Sequence, residues 1–167
     1  MDSIDIQFVK PQEAELEKIY HDAIAQGRDG HFNPAYADSP KAQKDLQMLI
    51  SVAYYGGEVL LPPVVGFEPV ASYAKLFSVL VKGDTVGYVL TLKKKKSIEM
   101  LFASIYPEHR GKRYGVALCA HFKKLYKKEN IIVRCKKNSN QMVGILLKLN
   151  LKIKEVDYPT VNTYLVY

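Results

Sequence analysis

A chain of 167 residues, 48 % apolar and 25 % charged, has the length of one ordinary domain (1–167) and the composition of a globular one, which excludes a disordered or fibrous protein. Its two cysteines, Cys119 and Cys135, give neither metal-ligand spacing nor a disulfide framework, so they read as structural thiols of a reducing compartment and no metal site is expected. The net charge of +7 is unevenly spread: residues 1–92 carry 7 Lys+Arg against 12 Asp+Glu, and residues 93–154 carry 17 against 3.

The start MDSIDIQF has no basic, apolar secretory pattern, and the most apolar region, Met48 to Ala74, is broken by Gly56-Gly57 and Pro62-Pro63. Neither export nor a membrane span is expected, and the reading is cytoplasmic. Ile4, Ile6 and Phe8 alternate with polar residues as in a half-buried strand. Leu16, Ile19, Tyr20, Ala23 and Ile24 share a helical face, and a polar loop, Gly27 to Ser39, follows. Ser39-Pro40 suits an N-cap and first helical position, with Ala42, Leu46, Leu49, Ile50 and Ala53 as the buried stripe of a second helix. The Gly/Pro-rich connection Gly56 to Pro69 is long enough to be a binding loop.

Leu76 to Val81 and Val86 to Leu92 form a hairpin about Lys82-Gly83-Asp84, and Lys93 to Lys96 mark the next turn. Ile98 to Tyr106 is a strand stopped by Pro107. Tyr114, Leu118, Phe122 and Leu125 set a helix, Ile131 to Cys135 a strand, and Gln141 to Leu149 an apolar helix. Two strands, Leu151 to Val156 and Asn162 to Tyr167, close the chain. The order β-α-α-β-β-β-α-β-α-β-β predicts an α/β (α+β) fold, a mixed sheet with about four helices on its faces. Residues 98–135 make a β-α-β unit with parallel strands. Ligands of such units bind beyond the carboxyl ends of the strands, here at Tyr106 to Gly115.

That place holds Arg110, Gly111, Lys112, Arg113, Tyr114 and Gly115. Glycines allow close backbone approach, a helix start offers unpaired N–H groups, and three cations surround it, which suits a pyrophosphate. The run PEHRGKRYGVAL resembles the acetyl-CoA-binding motif of the GNAT superfamily, Q/R-x-x-G-x-G/A. Arg110 matches its first position and Gly115 its last, while Arg113 replaces the middle glycine. The resemblance implies an N-acetyltransferase using acetyl-CoA as donor, with no metal. It further implies that the splayed ends of the strands holding Ile105 and Val133 admit the pantetheine arm beside Ile105 and Tyr106. Backbone N–H groups from Gly111 to Gly115 would hold the pyrophosphate, and Asn138 or Asn140 would contact the pantetheine or cap the next helix.

An amine must lose a proton before attacking a thioester, and Glu99, in an otherwise apolar strand, is the candidate general base. EMLFASI also resembles the fourth strand of histone-acetyltransferase-type members, whose glutamate has that role. The family's tyrosine, which protonates the CoA thiolate four residues before a Gly-Phe pair, is missing: Leu146 stands there, before Asn150-Leu151. Tyr158 is another tyrosine near the end of the chain. Among the histidines, His31 in the first loop is the one to test for catalysis.

The acidic half suits a cationic amine acceptor, with a protein lysine or N-terminus placed ahead of a small-molecule amine, and the basic half suits CoA phosphates. Lys93 to Lys96 lie at the wrong end of their strand for CoA. With Lys123, Lys124, Lys127, Lys128, Lys136 and Lys137 they raise the alternative of a catalytically weak or inactive GNAT-like protein that binds an acidic macromolecule such as nucleic acid.

Overall fold

The structure is a computed structural model that describes residues 3–61, 70–136, 139–158 and 161–166. In chain order these form β1 (Ile6–Val9), α1 (Leu16–Arg28), α2 (Ala35–Asp38), α3 (Pro40–Tyr55), β2 (Glu58–Leu61), β3 (Val70–Val81) and β4 (Asp84–Lys93). There follow β5 (Ser97–Ile105), α4 (Tyr114–Leu125), β6 (Asn130–Lys136), α5 (Asn140–Lys148), β7 (Ile153–Tyr158) and β8 (Val161–Val166).

The strands make one sheet in the order β1-β3-β4-β5-β6-β8-β7, with β2 also paired to β3. Pairing is antiparallel except between β5 and β6, which α4 joins as a parallel pair. One face is covered by α1 and α3 through Ile19, Ala23, Leu46, Ile50 and Ala53, packed on Tyr88, Leu90 and Leu92. The other is covered by α4 and α5 through Leu118, Cys119, Phe122 and Leu146, packed on Val89, Met100 and Val133. Alternation along β4 produces both cores, since successive side chains of a strand point to opposite faces. Each such large apolar side chain stabilises the fold by about 1.5–3 kcal/mol when fully buried.

Local signals set the helix ends. Ser39 Oγ accepts from the Ala42 N–H at 3.3 Å and Pro40 opens α3, as the sequence predicts. After α5, Asn150 is left-handed with φ 60, its N–H reaching the Leu147 carbonyl and that of Leu151 the Leu146 carbonyl. This double bond is a Schellman closure, and asparagine is the residue after glycine that most readily makes it.

Three features differ from the sequence reading. The polar loop Gly27 to Ser39 contains α2, whose four residues are too few to show a period. The Gly/Pro-rich connection contains β2, which lengthens the sheet by pairing with the first residues of β3, so β3 begins at Val70 rather than Leu76. The rest of that connection, residues 62–69, lies outside the described residues.

The feature that positions the site is a parting of strands. Parallel pairing runs from Ser97↔Asn130 to Met100↔Val133. There β5 changes register against β4, with Thr91 opposite Met100 and Leu90 opposite Phe102, so that Leu101 bulges. Beyond this point β5 follows β4 to Ile105 while β6 follows β8 to Lys136.

Candidate functional site

The parted strands open into a cavity of about 1360 Å³. Its floor is β5 from Met100 to Ile105, and one wall is Val133, Cys135 and Lys136 of β6 with the first turns of α5. The opposite wall comes from α2, α3 and β2, and the turn between β5 and α4 closes one end.

In that turn Gly111 has φ 79 and Arg113, the N-cap of α4, has φ 63. Two left-handed residues just before a helix turn successive N–H groups to one side, an arrangement that accepts an anion. Glycine is suited to such a φ because it has no Cβ, and a left-handed Arg113 explains why a glycine at this motif position is the strain-free choice. The guanidinium of Arg110 folds back, its Nε donating to the Ile105 carbonyl at 3.0 Å. Arg110 therefore fixes the turn against the end of β5.

Of the expected cofactor-binding residues, Ile105, Arg110, Gly111, Arg113, Tyr114, Gly115 and Asn140 line the cavity. Tyr106 and Lys112 do not. The Tyr106 N–H is already bonded to the Val86 carbonyl at 2.9 Å, and its side chain is 1 % exposed among the residues packed under α1 and α3. Its hydroxyl has no hydrogen-bond partner among the described residues, and burial, then Asp22, push the phenol pKa up. Lys112 is an exposed turn residue. Asn138 lies outside the described residues.

Glu99 is 1 % exposed, on the part of β5 still paired with β6. Lys94 Nζ stands 3.5 Å from its Oε2, and the cavity lining begins one residue later, at Met100. His31, in contrast, lines the cavity, with Nδ1 hydrogen-bonded to Ser139 Oγ at 2.9 Å. Ser139 is itself buried at the start of α5, so this bond joins the α1–α2 loop to α5 across the cavity. Leu146, at the place of the family tyrosine, is 1 % exposed in the core under α4 and α5.

Several cavity features had no sequence signal. Phe32 stacks on Phe102 with ring centroids 4.6 Å apart, and Tyr36 meets Phe102 edge-on at 6.0 Å. The Phe32/Tyr36 spacing of four was the one clue, hidden in a loop. Burial, then Asp45, raises the Tyr36 pKa to about 12, so its phenol stays un-ionised. Ser104, on the cavity floor, and Tyr88 both donate to Asp22 Oδ2, at 2.8 and 2.9 Å, which ties α1 to β4 and β5. Lys18 of α1 also bonds Glu108 of the turn at 2.7 Å. Among the described residues no group of histidine, cysteine or carboxylate side chains is arranged to hold a metal, and no helix is long and apolar enough to cross a membrane.

No family model and no curated protein matches the sequence. Solved structures do match over nearly the whole chain. The PaiA N-acetyltransferase of Thermoplasma acidophilum, solved with coenzyme A, has a TM-score of 0.65 and 12 % identity, over 98 % of each chain. The spermidine N-acetyltransferase of Vibrio cholerae, solved with CoA and spermine, has 0.63 and 12 %, over 96 % of this chain and 92 % of that one. RimL, an alpha-N-protein acetyltransferase of ribosomal L7/L12 solved with coenzyme A, has 0.61 and 11 %, over 99 % and 93 %. The chain has the fold of the GNAT acetyltransferases. At this identity the likeness is one of fold.

Proposed function

We propose that the chain is a cytoplasmic N-acetyltransferase, a single domain that moves an acetyl group from acetyl-CoA to a primary amine. The observation that carries this is the parting of β5 from β6 beside a turn whose Gly111 and Arg113 are left-handed. The pantetheine arm pairs with backbone of β5 between Leu101 and Ile105 as an added strand, and N–H groups from Gly111 to Gly115 take the pyrophosphate. Tyr106 is left out of this arrangement because its N–H is spent on β4.

The acceptor enters between Phe32, Tyr36 and the α3 wall. Met48 and Leu60, on that wall, are 61 % and 68 % exposed, which suits an acceptor that continues beyond the cavity, a protein lysine or N-terminus ahead of a small amine. Both acceptor classes occur on this fold, as the L7/L12 and spermidine enzymes show. The neutral amine nitrogen bonds the thioester carbonyl carbon, the C–S bond breaks, the nitrogen gives its second proton to solvent as the amide forms, and the thiolate takes one from solvent, since Leu146 has none to give.

The ammonium proton was expected to pass to Glu99. His31 is the better-placed acceptor on a specific observation: it lines the cavity and is held by Ser139, whereas Glu99, in the part of β5 still paired with β6, is not in the lining. Glu99 would act only through water. Transfer of labelled acetyl from acetyl-CoA to cell proteins and to small amines tests both levels. His31→Gln is expected to lower the rate about 100-fold with CoA affinity unchanged, and Glu99→Gln to lower it only a few-fold. The reverse ranking returns the role to Glu99, and label that reaches no amine overturns the enzyme.

A further inference from the structure

The end of the sheet remote from the cofactor turn gathers positive charge that acetyl transfer does not use. Lys95 and Lys96 of the β4–β5 turn, Lys124, Lys127 and Lys128 at the end of α4, and Lys152 after α5 are all exposed. The segments are adjacent in space, because the Asn130 N–H donates to the Lys96 carbonyl at 3.0 Å and Lys93 pairs with Glu129. Lys94 pairs with Glu99. None of the six exposed lysines enters an ion pair among the described residues. Between α4 and the starts of β5 and β6 the surface is concave, about 950 Å³, with Lys123, Lys124 and Lys127 on one side and the polar Ser97, Asn130 and Asn150 beside them. The nine residues of β5 separate it from the cofactor turn by roughly 25 Å at about 3.3 Å per residue.

We propose that this end docks the phosphate backbone of double-stranded nucleic acid. Protein interfaces are depleted in lysine and anchored by arginine, tyrosine and tryptophan, and among the described residues no such anchor lines this concavity. Single-stranded nucleic acid is held by stacking on aromatic rings, and among the described residues none lines it either. The concavity itself is largely apolar, lined by Ala120, Ile131, Ile132, Leu149 and Leu151 with Glu129 beside them, so the charge is carried by the six exposed lysines at this end, point charges that match sequence-independent contact with phosphates. The site is independent of the cleft, so a GNAT-fold enzyme carrying it is held at a nucleic-acid-containing substrate while its acetyl-transfer site remains open at the other end.

The test is fluorescence anisotropy of short labelled duplexes, DNA and RNA, on the full chain with CoA saturating, so that the cofactor turn is filled. Binding is expected to weaken steeply with salt, log K falling by about 0.9 per phosphate contact for each unit of log salt in B-DNA. Replacing Lys95, Lys96, Lys127 and Lys128 together by glutamine is expected to reduce affinity at least tenfold and flatten that slope, with acetyl transfer to a small amine unchanged. Absence of duplex binding at low salt overturns the proposal, as does duplex binding that CoA displaces or that the quadruple variant retains. Equal or tighter binding of poly-glutamate or of phosphatidylserine vesicles overturns it in favour of an acidic protein or a membrane surface.

Discussion

Arg113 sits at φ 63, a backbone region that costs a side-chain-bearing residue about 1–2 kcal/mol and glycine almost nothing. Arg113→Gly is therefore expected to raise the melting temperature by a few degrees, since about 1 kcal/mol moves a domain of this size by about 2–4 °C. Its effect on CoA affinity separates backbone from side chain: unchanged affinity assigns the phosphate contact to the N–H groups, and a tenfold loss assigns it to the guanidinium. The turn between β5 and α4 was legible in the sequence because it rests on local backbone chemistry, and Arg110, Gly111 and Gly115 line the cavity. What the sequence could not show is that Arg110 spends its Nε on the Ile105 carbonyl, that the Tyr106 N–H belongs to β4, or that His31 meets Ser139 across 108 positions of chain. Those depend on tertiary approach, for which one sequence carries no period or spacing.

At the scale of elements, long strands and amphipathic helices were readable and short or interrupted ones were not. α4 spans Tyr114–Leu125, the range its apolar spacing predicts, because one face must bury Leu118 and Phe122. β2 has four residues between a Gly-Gly pair and a Pro-Pro pair, and only its pairing with β3 makes it a strand. The bulge at Leu101 was equally invisible, since it arises from a register change between two strands. Gly87 belongs to the same rung system: a Cβ there would lie 2.1 Å from the Ser104 carbonyl oxygen. Gly87→Ala is expected to push β4 from β5 at the floor of the cavity. Urea unfolding should show a loss of about 1–3 kcal/mol, the usual cost of overpacking, together with weaker CoA binding. An unchanged unfolding midpoint would show that the two strands separate there freely.

Across the whole molecule the charge division seen in the sequence becomes a division of ends and faces. The basic segment supplies both the cofactor turn and the lysine end, which the linear count could not separate. Much of the acidic half is spent within the fold: Asp45 is paired with Lys41 and Asp22 is bonded to Tyr88 and Ser104, and the cavity wall from α2, α3 and β2 is largely apolar and aromatic, with Asp45 and Glu58 as its carboxylates. Ligand binding to the parted sheet should be visible globally. At acetyl-CoA about 100 times its dissociation constant the folded state gains about 2.7 kcal/mol, so thermal unfolding should move up by roughly 5–10 °C. No shift at millimolar acetyl-CoA would remove the donor site from the proposal.

The parting of β5 from β6 has a consequence for the protein's survival. A sheet that opens within its own span exposes strand edge in the middle of the molecule rather than at its rim, and in the proposed complex the donor's extended arm takes the part of an absent strand. Unfolding from the loaded state must first expel that strand. On the proposed donor reading, loaded copies are expected to resist proteases longer than empty ones, which limited proteolysis with and without acetyl-CoA checks.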